Sequence, residues 1–103
     1  MADLSPTRGR EQSGRRPVVL VSPESFNRGA AELTIICPLT TRDRKVRTHL
    51  RVQPPEGGLK EPSFIMSEAV RSISKDRLIA YWGSLDRQTV AQMDDVLRIL
   101  LDL

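Results

Sequence analysis

Four arginines, Arg8, Arg10, Arg15 and Arg16, fall between Ser5 and Pro17, and the apolar run Val18-Val19-Leu20-Val21 follows at once. Pro6, Gly9, Gly14 and Pro17 forbid a regular element through this stretch, while the β-branched and aliphatic residues after it favour a pleated, buried setting. The arginines are therefore expected on a loop at the head of a core strand. Arg16 precedes a proline and is pushed to an extended backbone. A planar guanidinium held in that way is suited to a phosphate. A second basic cluster, Arg42, Arg44, Lys45, Arg47 and Arg51, lies downstream. Residues 1–51 hold ten Lys or Arg against five Asp or Glu, whereas residues 52–103 hold six against eight. The basic excess of this +3 chain is thus confined to its first half, the distribution expected of a surface for a polyanion.

The elements that must position these groups are short. At 103 residues and 39% hydrophobic, the chain is expected to be a single domain over residues 1–103 with one modest core. Four aromatic residues cannot fill that core, so Val, Ile and Leu must, and a homodimer would add burial. Strands are expected over 17–22, 33–39, 46–52, 63–68 with a kinked continuation to 73, and 78–83. In the third, Val46, Thr48, Leu50 and Val52 alternate with Arg47, His49 and Arg51, which predicts a core face and an exposed basic face. Short helical turns are expected after Ser22-Pro23 and at Ser74–Arg77. From Asp86 onward Val90, Met93, Val96, Leu97, Leu100 and Leu101 recur at helical spacing, so a terminal amphipathic helix should pack on the sheet. Residues 53–62 are rich in proline and glycine and read as a loop, a candidate lid or recognition segment. Trp82 is expected in the core. The pattern is α+β, a small curled sheet with a helix against it. Cys37, inside an apolar strand, reads as a buried hydrophobe. No disulfide framework, zinc spacing, leader or membrane span is legible, which predicts a reducing, cytoplasmic setting.

The order and spacing of Asp3-Leu4-Ser5-Pro6-Thr7-Arg8-Gly9-Arg10-Glu11-Gln12-Ser13-Gly14-Arg15-Arg16-Pro17, Cys37-Pro38-Leu39-Thr40, Thr48-His49 and Ser67-Glu68-Ala69-Val70-Arg71-Ser72-Ile73-Ser74-Lys75-Asp76-Arg77-Leu78 resemble the MazF/PemK family of toxin ribonucleases nearly end to end. The resemblance implies an SH3-like small β-barrel of the CcdB/PemK/MazF type with a C-terminal helix. It implies a homodimer that cleaves single-stranded RNA at short sequences without a metal or other cofactor and arrests growth, and a cognate MazE-like antitoxin that blocks the RNA groove. A relative of the same fold that inhibits DNA gyrase by binding alone is the alternative. By position, Arg16 and Thr40 are the implied catalytic residues, and Glu11 and Glu68 fall where some members carry functional carboxylates. Members usually have about one more strand before the Asp-Leu-x-Pro segment, so a truncated first strand and an open sheet edge are expected here. Ala69 stands where a glutamine is common, and Met66 where one branch has a catalytic arginine, which leaves the positive charge to Arg16.

The chemistry follows from RNA itself. The 2′-hydroxyl attacks the adjacent phosphate and leaves a 2′,3′-cyclic phosphate and a 5′-hydroxyl, so the enzyme must stabilise charge and accept a proton. Arg16 suits the first task. For the second the available groups are Glu68, Glu11 and His49, although a lone histidine flanked by arginines on a strand is more often a surface or RNA-contacting residue and Glu68 could equally pair with Arg71 or Arg77. Arg8, Arg10, Arg15, Arg42, Arg44 and Lys45 are the candidate phosphate contacts, and Phe64 or Trp82 could stack on a base.

Overall fold

A computed structural model describes residues 1–4 and 14–103. Seven strands are present among the described residues: β1 (Ala2–Asp3), β2 (Arg15–Arg16), β3 (Val18–Leu20), β4 (Leu33–Thr40), β5 (His49–Val52), β6 (Ser63–Met66) and β7 (Arg71–Ser74). Two α-helices, α1 (Glu24–Asn27) and α2 (Arg87–Leu101), join them. Every strand pairing is antiparallel. β1 and β2 form a two-stranded ribbon, and the others form a five-stranded sheet ordered β3-β4-β6-β5 with β7 also on β4. The described strands make an open path rather than a closed barrel.

β4 organises the molecule because its apolar run is buried on both faces, as its unbroken hydrophobicity predicts. Cys37 and Leu39 join Val52, Leu59, Ile65 and Met93 in one cluster, so this face packs on α2. Ile36 joins Ala2, Leu4 and Ile73 in a second cluster on the opposite face. Each fully buried Ile or Leu in these clusters contributes on the order of 1.5–3 kcal/mol of transfer free energy. Cys37 is fully buried, and its thiol is pushed up to about 12, first by burial and then by the charge of Glu68.

One edge of β4 is shared by two strands. Leu39 and Thr40 face Ile65 and Phe64 of β6, whereas Leu33 to Ile36 face Ser74 to Arg71 of β7. The two registers are offset by three residues, the length of the 3-10 turn Ser67–Ala69 that separates β6 from β7. That turn is extruded from the sheet.

Several sequence expectations require correction. The strand expected over 46–52 begins only at His49, because its partner β6 ends at Met66, opposite His49. The strand expected over 78–83 does not form: Leu78 makes one isolated bridge to Ala2, and the Ile79 amide donates to the Met1 carbonyl at 3.0 Å. Beyond Ile79 the chain is drawn toward the 53–62 segment instead, with Gly83 packed against Gly57. Trp82 is 38% exposed rather than in the core. Nor is 53–62 free to act as a lid. Leu59 is buried in the core, and the Glu56 carboxylate accepts from the Asp86 amide at 3.0 Å, capping the start of α2. In α1 the N-cap is Pro23. The Ser22 hydroxyl is engaged with Asn27 and Thr34 and accepts from the Ile35 amide.

Candidate active site

Antiparallel partners project to the same face of a sheet. Thr40 faces Phe64 on β6, and Phe64 faces Arg51 on β5, so the three form one row across the sheet. Met66 and His49 form the next row on the same face, about 7 Å along the strands. On its other side β4 pairs with β3, Val18 opposite Pro38, and the Leu39 amide donates to the Pro17 carbonyl at 3.0 Å. Carried two residues further, that register sets Arg16 across from Thr40.

The Arg16 side chain agrees with this placement. Its Nη1 donates to the Leu39 carbonyl at 3.3 Å, one residue before Thr40. Its Nε is buried without a hydrogen-bond partner among the described residues. Burial, then the like charge of Arg44, lowers the Arg16 pKa from its ordinary value. A guanidinium crowded by another cation and short of acceptors is one that a bound anion would stabilise. The Thr40 hydroxyl accepts from the Arg42 amide at 3.2 Å, which leaves its own hydrogen available to a phosphate oxygen.

The extruded 3-10 turn supplies the third group. Glu68 lies on it and accepts from the Thr48 hydroxyl at 2.6 Å, while its other oxygen meets His49 Nε2 at 2.7 Å. An ionised carboxylate only accepts, so Nε2 carries the proton and Nδ1 of a neutral ring is bare. Burial raises the Glu68 pKa, but the hydrogen bonds from Thr48 and His49 outweigh it and hold the carboxyl below the usual range. The His49 side chain is only 4% exposed, whereas that of Glu68 is 40% exposed. Glu68 therefore meets solvent and His49 holds it from behind. The exposed face predicted for His49 is covered by the 3-10 turn, an element that strand alternation does not anticipate.

Because the folded Glu68 pKa is lowered, its pairing stabilises the protein above the unfolded value of about 4.5, and that contribution is lost as pH falls through the folded value. Glu68→Gln is expected to lower the urea midpoint at pH 7 and to converge on the parent protein as pH falls through the folded Glu68 value. Parallel acid limbs would show that the pairing contributes nothing.

The other candidates are distributed around this face. Arg15 is exposed on β2, paired with Asp3 in the ribbon register. Arg42, Arg44 and Lys45 occupy the exposed turn after β4, where the Lys45 amide and ammonium both meet the Asp43 carboxylate. Arg8, Arg10 and Glu11 lie outside the described residues. Sequence reasoning did not single out the role of Thr48, since Thr48 sits in the turn before β5 and not on its alternating face. The adjacency of a hydroxyl and an imidazole in Thr48-His49 was the available signal. Gln53 was also missed. With its amide turned so that the oxygen faces Arg51, it accepts from Nη2 at 2.7 Å and Nε at 3.0 Å.

Residues 1–101 match the model of a family described as PemK-like, MazF-like toxin of type II toxin-antitoxin system. The chain is 34% identical over 104 residues to endoribonuclease EndoA of Bacillus subtilis (strain 168), covering 99% of this chain and 89% of that protein. Among solved structures it is similar to MazF (Form-I) from Deinococcus radiodurans, with a TM-score of 0.85 and 25% identity over 99% of this chain and 90% of that one. It is also similar to a chain of the MazE-MazF (Form-II) structure from the same organism, with a TM-score of 0.78 and 25% identity over 99% of this chain and 89% of that one.

Proposed function

Because the chain belongs to the family of PemK-like, MazF-like toxins of type II toxin–antitoxin systems and is by class an endoribonuclease, we propose that it cuts single-stranded RNA at short sequences without a metal. The observation that carries this reading is the Arg16 guanidinium on the Leu39 carbonyl, beside Thr40. Arg16 and Thr40 bind non-bridging oxygens of the scissile phosphate. The 2′-oxygen attacks phosphorus, its proton passes to the Glu68 carboxylate, and the bond from phosphorus to the 5′-oxygen breaks. The departing 5′-oxygen takes a proton from water. A 2′,3′-cyclic phosphate and a 5′-hydroxyl remain.

The contributions differ in size. Arg16 acts where charge grows on the phosphorane, and such a preorganised donor is typically worth about 100- to 1000-fold in rate. Glu68 is a weak base, since its lowered pKa places it far from neutral pH. His49 is a positioning residue that holds the carboxylate. Arg15, Arg42, Arg44 and Lys45 supply the electrostatic track for the polyanion.

A second copy of the chain is the proposed partner for the apolar surface left open. Leu20, Ile79, Tyr81 and Trp82 line a groove of about 660 Å³ and are all exposed. Ile99, Leu100, Leu101 and Leu103 are exposed at the end of α2. The antitoxin partner is proposed from the MazE-MazF structure, with an extended segment lying along the basic face.

The test is to incubate the purified protein with a long single-stranded RNA in EDTA and map the ends. Fragments ending in 2′,3′-cyclic phosphate and beginning with a 5′-hydroxyl are expected, from a species sedimenting at twice 11.6 kDa. Intact RNA throughout would overturn the ribonuclease reading and favour a toxin that acts by binding, such as to DNA gyrase.

A further inference from the structure

The two apolar clusters account for most large side chains of the sheet, but Phe64 belongs to neither of them among the described residues. Its neighbours Ser63 and Ile65 are turned to the α2 side and buried, at 3% and 0% exposure. Phe64 points to the opposite face and is only partly buried. On that face it stands between Thr40 and Arg51, its partners on the two adjoining strands. The row reads hydroxyl, aromatic ring, guanidinium over roughly 10 Å, two strand spacings. Arg51 is exposed, and Gln53 holds its Nη2 and Nε, which aims the rest of the fork outward.

We propose that Phe64 is a nucleobase platform. The base of a nucleotide flanking the scissile phosphate stacks on its ring, and Arg51 binds the next phosphate along the strand. This rests on the ribonuclease reading for the position of the scissile phosphate at Thr40. The physical grounds are general. An aromatic side chain fixed on a sheet, partly exposed and bounded by phosphate-binding groups, is how single-stranded nucleic acid is held. Base–aromatic stacking is worth about 1–3 kcal/mol per base. A ring beside the reacting phosphate orients the ribose that carries the attacking hydroxyl, so it acts on rate as well as affinity.

Phe64→Leu keeps an apolar side chain and removes the π face, while Phe64→Tyr keeps both. With a random-sequence single-stranded RNA pool in EDTA, Phe64→Leu is expected to cut about 5- to 150-fold more slowly and to lose base preference at one position flanking the cut. Phe64→Tyr should retain rate and pattern. An unchanged pattern and rate in Phe64→Leu overturns the platform.

Binding separates this result from failure of the ribonuclease reading. In a Thr40→Val background, Phe64→Leu should weaken a base-bearing oligoribonucleotide by that factor and leave an abasic oligomer of the same length unaffected. If this discrimination appears while the parent protein cuts nothing, the ribonuclease reading fails and the platform stands. Equal effects on the two oligomers, or none, remove it. Should Phe64→Leu not fold, Arg51→Gln at an exposed position carries the test. It should reduce the slope of log affinity against log salt by about 0.7, one phosphate contact on a single strand. An unchanged slope refutes the arrangement.

Discussion

Replacing Arg16 by alanine is expected to slow RNA cleavage about 100- to 1000-fold while the protein remains folded. Arg16 is only partly buried, and its one described side-chain hydrogen bond goes to the Leu39 carbonyl, so little stability depends on the side chain. Lysine should not restore the rate, because a point charge cannot span two oxygens as the planar fork does. Thr40→Ala removes the hydroxyl proposed to face the same phosphate and is expected to act in the same direction. Since both side chains are proposed to serve one phosphorane, the double variant should lose less than the product of the two single losses. The measurement is single-turnover cleavage in EDTA, with circular dichroism and thermal melting to show that each variant is folded. Full activity in both single variants would remove the assignment.

Gly58→Ala is expected to destabilise the whole domain. A Cβ at this position would stand 2.1 Å from the Trp82 carbonyl oxygen and 2.9 Å from its carbon, both backbone atoms, and Gly58 has φ +73°. The positive φ and the overpacking each cost about 1–3 kcal/mol, a large share of the stability of a small domain. The damage is not local. Gly58 precedes Leu59, a member of the core cluster, and Glu56 caps α2 from the same segment. Urea unfolding should therefore show a cooperative loss of midpoint. If only the 53–62 segment loosened, with α2 and the midpoint untouched, the segment would be the independent lid that the sequence suggests.

Those two positions illustrate what was legible in the sequence. The extended backbone of Arg16 before Pro17 and the end of the apolar strand at Thr40 were readable because proline geometry and hydrophobic runs act locally, whereas their proposed roles come from the family resemblance. The amphipathic spacing from Val90 onward likewise gave α2 and its start at Asp86. His49 was misjudged as exposed because its cover comes from residues 67–69, far along the chain. The strand expected at 78–83 failed for a related reason. Local propensity cannot say whether a partner edge exists, and among the described residues only Ala2 and Met1 provide one. The row Thr40, Phe64 and Arg51 is a product of register alone, and no single window of sequence contains it.

The offset between β6 and β7 has a bearing on biosynthesis. Arg16 reaches its place only when β4 has formed beside it, and the carboxylate reaches His49 only after the turn at Ser67–Ala69 has been made. The β4–β7 ladder that follows closes a loop of more than thirty residues, a slow kind of contact. A growing chain still short of Glu68 thus contains the residues proposed to bind the phosphate and lacks the carboxylate proposed to accept the proton, so on this reading a ribosome making this protein holds an incomplete nuclease for most of the synthesis.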